Sequence, residues 1–267
     1  YSSVFAPWKK PLDGLASGVI TRRTRSGADI YVTNIPSLSR LRTHPPAGVA
    51  DQQDVLSTGY GVRYSLLGHD LHGLRWGPDG KLYFSIGDRG LHVVTKEGKT
   101  LDYPDEGSVL RCDPDGSNLE VFAHGLRNPQ KLVFDKYGNL FTGDNNADYG
   151  ESARWVYVVE GGDSGWRIGY QHAPRGNAGP WNAERLWLPR HPSQPAYLLP
   201  PICNVEDGPS GIAYYPGTGL APEYKGRIFI THFKGAIASS GHSAVGACKA
   251  SRGRARSSQL SSSTSSV

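Results

Sequence analysis

His69-Asp-Leu-His72-Gly-Leu-Arg-Trp-Gly-Pro-Asp-Gly-Lys-Leu-Tyr-Phe-Ser-Ile-Gly-Asp88 is the stretch on which the reading of the fold turns. At its centre Gly77-Pro78-Asp79-Gly80 is a tight turn, because Pro presets φ near −65° and Gly accepts a positive φ. Leu74 and Trp76 before the turn, and Leu82, Phe84 and Ile86 after it, alternate as two strands with one buried face do. The segment reads as a β-hairpin. Two histidines lead into it, and histidine is the side chain that titrates nearest neutral pH.

The phrase recurs. Residues 129–145 repeat the apolar strand, an Asp-x-x-Gly turn, an aromatic second strand and a Gly-Asp exit. A third copy is Gly208-Pro-Ser-Gly-Ile-Ala-Tyr-Tyr-Pro-Gly followed by Gly226-Arg-Ile-Phe-Ile-Thr-His-Phe233, and a weaker one pairs Gly18-Val-Ile-Thr with Ala28–Thr33. The second strands begin near Ile30, Leu82, Leu140 and Ile228, at gaps of 52, 58 and 88 residues. Repeats of this size, each with room for four strands, mark a β-propeller. The long third gap requires an insertion, which residues 161–207 supply. No window carries an apolar stripe at helical spacing, and 34 Gly with 19 Pro make the chain turn-rich. The fold class is therefore all-β, with about four blades recognisable.

Composition narrows the function classes. No apolar run approaches the length of a membrane-spanning helix. The net charge of +5 is local. Four Lys or Arg, no acidic residue and 11 Ser fall in residues 236–267, which leaves 25 basic against 24 acidic elsewhere. A near-neutral body gives no electrostatic footprint for nucleic acid. Apolar patterning stops after Lys234-Gly235, so the expected organisation is a partial propeller over 1–235 and a basic Ser-rich tail over 236–267, disordered or out of frame. The absence of Met and the opening Tyr1 point to a missing N-terminus, so the lack of a targeting segment has no meaning. Cys112, Cys203 and Cys248 have neither metal-ligand spacing nor even pairing.

His69–Asp88 and Gly125-Leu-Arg-Asn-Pro-Gln130 together resemble two signature segments of the soluble quinoprotein glucose/sorbosone dehydrogenases. The wording is nearer still to a branch of large secreted bacterial proteins described as membrane-bound, haem-binding dehydrogenases. The resemblance covers roughly residues 10–235. It implies a six-bladed propeller that uses pyrroloquinoline quinone (PQQ) and calcium to oxidise a sugar or other alcohol. It also implies a periplasmic or secreted location and a cytochrome c electron acceptor. In that family a His stands eight residues before the first Gly of the turn, which here is His69. By resemblance it is the base that takes the hydroxyl proton, a task that suits a group titrating near the working pH. His72 is its rival. Arg127 corresponds to the residue that stabilises charge on the quinone oxygens, Asn128 to a cofactor hydrogen-bonding partner, and Lys234 to the lysine that pairs with the cofactor's carboxylates. The family's later arginines would lie beyond residue 235 and have no counterpart.

Asp144-Asn-Asn-Ala-Asp148 is dense in the oxygen donors that hard cations prefer, yet it is not an EF-hand loop, since Gly150 falls one place late and position 12 is Trp155. By resemblance the carbonyls of Asn146 and Ala147 hold calcium, with Asp148 adding charge. Thr43–Asp51, where close relatives carry an acidic loop, is nearly stripped of ligands. Trp166, Trp181 and Trp187 in the insertion are expected to form its own small core rather than a sugar-stacking surface. Two other functions fit the pattern: a propeller that binds a carbohydrate or protein and catalyses nothing, and a calcium-dependent lactonase with acidic ligands converging on one metal.

Overall fold

The computed structural model describes residues 16–44, 49–62, 68–147, 150–173, 179–188 and 198–233, together with the backbone of 243–248 and 257–259. Among the described residues four main sheets follow one another in chain order, antiparallel but for one short added strand, beside a separate two-stranded hairpin. The first holds β1 (Ala16–Thr24), β2 (Gly27–Asn34), β3 (Ser37–Thr43) and β4 (Gln52–Thr58) in that order. The second is built on β5 (Leu71–Trp76) and β6 (Leu82–Ile86), with a small hairpin, β7 (Leu91–Val94) and β8 (Thr100–Tyr103), branching from it before β9 (Gly107–Cys112) and β10 (Glu120–Leu126). The third starts with β11 (Pro129–Phe134), β12 (Leu140–Asp144) and β13 (Ala153–Val158). Two short strands come from the insertion: β14 (Gly162–Asp163) adds in parallel to β10, and β15 (Cys203–Val205) closes the third sheet beside β13. The fourth sheet is β16 (Pro209–Tyr214), β17 (Ile228–Phe233), β18 (Ser243–Cys248) and β19 (Ser257–Gln259).

The hairpins expected from the repeated phrase are present. Gly80 has φ 78° and donates its N–H to the Gly77 carbonyl at 3.0 Å. The same turn recurs at Asp113–Gly116 and Asp135–Gly138, with distances of 2.8 and 3.2 Å. The first strands of the sheets lie against one another in the order β1, β5, β11, β16, so the sheets are blades set around an axis in an open arc. Apolar side chains fill the spaces between blades. Tyr31, Leu38, Leu71, Leu82 and Phe84, all fully buried, join the first two blades, and Val109, Leu126, Leu132 and Val156 join the second to the third. Each such side chain contributes about 1.5–3 kcal/mol when removed from water.

In the fourth blade β18 pairs with β17 from Ile228↔Cys248 to Phe233↔Ser243. One short helix, α1 (Gly179–Ala183), falls in the insertion. No helix among the described residues is long and apolar enough to cross a membrane.

Candidate active site

The blade pattern brings the lead-in to each first strand beside the exit from the second. Leu71 pairs with Ile86, and the same register sets His69 opposite Asp88. In the third blade Pro129 pairs with Asp144, so Arg127 and Asn128 enter beside the chain that leaves through Asn145 and Asn146. Bonds between blades fix these turns. Asp88 N–H donates to the Arg127 carbonyl at 2.7 Å, Ser85 Oγ to the Pro129 carbonyl at 2.5 Å, and Gly208 N–H to Asn145 Oδ1 at 3.2 Å.

His69 is 7% exposed, and its Nδ1 lies 2.6 Å from Oδ1 of Asp88, which is wholly buried. The carboxylate can only accept, so it selects the tautomer with the proton on Nδ1 and leaves Nε2 as the basic nitrogen. The indole N–H of Trp166 donates to the other oxygen, Oδ2, at 3.0 Å. Gly87 lets the groups come together. A Cβ there would stand 2.9 Å from His69 Cα, 3.0 Å from His69 Cβ and 3.0 Å from Asn128 Oδ1. Asn128 is 1% exposed, and its Oδ1 has no hydrogen-bond partner among the described residues. Arg127 is 4% exposed, with its guanidinium carbon 6.0 Å from the centre of the Trp166 ring.

Asp144 holds the turn that presents Arg127 and Asn128. Its Oδ1 accepts from the N–H of Arg127 at 3.0 Å and of Asn128 at 2.7 Å, while Arg154 donates to Oδ2. Both members of the Arg154–Asp144 pair are buried. The structure thus groups His69, Arg127 and Asn128, three of the residues singled out in the sequence. His72 is placed differently. Its Nε2 sits between the Asp70 N–H at 3.1 Å and the Gly68 carbonyl at 2.8 Å, a contact that ties the local turn. Burial pushes its imidazole below the usual range, so it is neutral near pH 7.

Asn146 and Ala147 follow β12 after the single residue Asn145. Asn146 donates its side-chain N–H to the Glu151 carbonyl at 3.4 Å, and the Glu151 carboxylate accepts from the Ala147 N–H. Asp148 and Lys234 lie outside the described residues. The expectation for the tryptophans is met: Trp166 and Trp181 form a buried cluster with Tyr170, Leu186 and Trp187.

Four participants carry no function in the sequence reading. Asp88 and Asp144 were visible as the repeated Gly-Asp exit, but that phrase does not say whether the carboxylate faces the axis or caps a turn. Trp166, 78 residues from Asp88, has no local signal, while Arg154 lies opposite Asp144 in the β12–β13 register, a strand pairing the repeated phrase did not include. A second polar group joins Glu106, His124, Asp163 and Arg167 at the outer edge of the second blade. His124 Nδ1 is 2.9 Å from Glu106 Oε2, and Arg167 pairs with Glu106 and Asp163 at 2.8 Å each. Glu106 holds the His124 imidazole above its usual range. Two carboxylates facing a guanidinium and a readily protonated imidazole balance without an ion. Cys112 is buried among apolar atoms, its thiol pushed up to about 12, and is chemically inert.

A family model described as a domain of unknown function, DUF7133, matches residues 14–176. The chain belongs to that family. Among curated proteins, this DUF7133 chain is similar to quinoprotein glucose dehydrogenase B of Acinetobacter calcoaceticus, at 28% identity over 116 residues. That alignment covers 34% of the chain and 24% of the relative, so about a quarter of the curated relative's length is spanned. Among solved structures, a glucose dehydrogenase superposes with TM-score 0.60 at 14% identity, over 96% of this chain and 85% of the other. The soluble aldose sugar dehydrogenase of Escherichia coli, in its apo-form, gives TM-score 0.53 at 15% identity, over 90% and 66%. The DUF7133 chain therefore has the β-propeller fold of the soluble sugar dehydrogenases, and its described residues form four blades in an open arc.

Proposed function

We propose that this chain carries the proton-abstracting site of a quinoprotein-type dehydrogenase acting on a sugar or other alcohol. The observation that carries the proposal is the grouping of an Asp88-held His69 with Arg127 and Asn128 at the lead-ins of two adjacent blades. Similarity over 116 residues to a protein named as a quinoprotein glucose dehydrogenase supports the same reading.

His69 takes the substrate hydroxyl proton at Nε2, and the buried Asp88 carboxylate stabilises the imidazolium that forms. Arg127, fixed by the Asp144-held turn, offers a permanent positive charge where anionic oxygen develops. Bound PQQ would supply the two-electron acceptor for the carbinol hydride, with calcium as a Lewis acid on its carbonyl. The residues present fit such a group: a buried Asn128 Oδ1 without a partner among the described residues stands next to His69, beside the buried Arg127. Asn128, Arg127 and Lys234 would hold the quinone. The Asn146 and Ala147 carbonyls with Asp148 would hold calcium, in a donor set of oxygens that suits a hard cation. A cytochrome c acceptor and a periplasmic or secreted location belong to the same reading and rest on resemblance.

The test is calorimetric titration of the full chain with PQQ, with and without calcium, followed by dye reduction over a panel of aldoses and alcohols. Saturable binding that weakens on Asn128→Ala, with sugar-dependent dye reduction, is the expected result. Quinone binding that ignores Asn128→Ala, or its absence with calcium present, overturns the proposal. Lactone hydrolysis without quinone would instead favour a lactonase.

A further inference from the structure

Asp88 is wholly buried, and each of its carboxylate oxygens has one hydrogen-bonded partner of interest: His69 Nδ1 on Oδ1 and the Trp166 indole N–H on Oδ2. A carboxylate with one oxygen engaged can swing about its terminal torsion, which is broad and roughly two-fold. A donor on the second oxygen removes that freedom. Trp166 is itself 1% exposed, so water does not substitute for its N–H.

The main chain around Trp166 is held with unusual thoroughness. Ser164 N–H donates to the His124 carbonyl at 3.0 Å, Trp166 N–H to the Gly125 carbonyl at 2.8 Å, and Ile168 N–H to the Asp105 carbonyl at 2.7 Å. The side chains of Asp163 and Arg167, on either side, lock into the Glu106–His124 group. These bonds anchor the segment to the edge of the second blade and to the turn that precedes Arg127. The neighbouring Trp181 packs edge-on against Trp166, centroids 5.4 Å apart, but its indole N–H has no hydrogen-bond partner among the described residues. Two tryptophans share one apolar cluster, and one of them is aimed at a carboxylate.

We propose that Trp166 is a positioning residue for the Asp88–His69 pair, delivered across the blade edge by the strap Asp163–Arg167. The inference rests on the reading of His69 as the base. Trp166 makes no contact with substrate in this role. It fixes the plane of the Asp88 carboxylate so that Oδ1 stays on Nδ1 and Nε2 stays basic.

The test uses the full chain labelled with 15N in histidine and tryptophan. In Trp166→Phe an aromatic ring remains, but the pyrrole half of the indole is lost together with its N–H, and Trp181→Phe removes the same volume from the same cluster. Solvent exchange of the His69 Nδ1 proton is expected to rise about tenfold, the scale of one hydrogen bond to a charged group. Trp181→Phe, which removes an N–H with no such partner from the same cluster, is expected to leave the rate unchanged. In the unmutated chain, the Trp166 indole resonance should move as His69 is titrated, while that of Trp181 stays still. This second measurement serves even where Trp166→Phe does not fold. A Trp166→Phe rate equal to that of the parent, an equal rise in Trp181→Phe, or a Trp166 indole indifferent to His69 overturns the proposal. None of these readouts needs quinone or sugar. A chain that shows the coupling but oxidises nothing would refute the dehydrogenase reading and leave the positioning role standing.

Discussion

Asp88→Asn keeps the shape of a wholly buried side chain and removes its charge. In the native arrangement two donors, His69 Nδ1–H at 2.6 Å and the Trp166 indole N–H at 3.0 Å, converge on two acceptor oxygens. An amide has only one oxygen, so one donor must face an NH2 group. If Trp166 keeps the oxygen, His69 must turn its lone pair to the amide, and its proton moves to Nε2, where a base is needed. If His69 keeps it, a buried indole N–H is left unpaired at a cost of about 1–3 kcal/mol. Either way the charge that stabilises the imidazolium is gone. For unit charges about 4 Å apart at an effective dielectric constant near 20, that charge is worth about 4 kcal/mol, or roughly a thousandfold in rate. Nitrogen-15 spectra report the His69 tautomer, thermal unfolding reports the stability loss, and stopped-flow sugar oxidation reports the rate. An Asp88→Asn protein with an Nδ1–H tautomer, unchanged melting and a rate within threefold of the parent would refute the reasoning.

Gly87→Ala places a methyl within 2.9–3.0 Å of His69 and Asn128, and is expected to cost about 1–3 kcal/mol by overpacking. Chemical denaturation checks this, and the His69–Asp88 resonances should change with it. Arg154→Met removes one partner of a buried ion pair, leaves Asp144 uncompensated, and is expected to lose about 3–5 kcal/mol in a urea melt. For His124, Glu106 raises the folded value above the ordinary 6.5, so its stabilisation is complete below about pH 6.5 and fades as pH rises through the folded value. The melting-temperature gap between the parent and His124→Asn should therefore narrow from about pH 6 to pH 9. A gap that widens contradicts the assigned pair.

Blade periodicity was legible because it is local chemistry. A Pro or Asp with a Gly two or three residues on fixes the turn, and alternating Leu, Phe and Ile fix the faces, as at Gly77–Ile86. His69, Arg127 and Asn128 were legible because they sit at fixed offsets from those turns. The register makes those offsets spatial, which is how His69 comes to lie opposite Asp88. What the sequence hid is long-range. Trp166 reaches Asp88 from 78 residues away, across a blade edge that no spacing encodes, whereas Arg154 reaches Asp144 as its register partner on the neighbouring strand β13. The insertion was recognised as an aromatic core. That one member of the core turns its N–H outward to a carboxylate depends on the strap and its Glu106–Arg167 anchor. Strands β14 and β15, of two and three residues, are too short to show a period.

The central claim is that His69 is the base of a quinone-dependent oxidation. Its most direct test is a single-turnover experiment in which the full chain is loaded with PQQ and calcium, mixed with an aldose, and followed by the quinone absorbance. The parent is expected to reduce the quinone, and His69→Ala to do so about 10²–10⁴-fold more slowly while still binding it. Reduction at the parental rate in His69→Ala, or no reduction by any aldose or alcohol in a quinone-loaded parent, would contradict it.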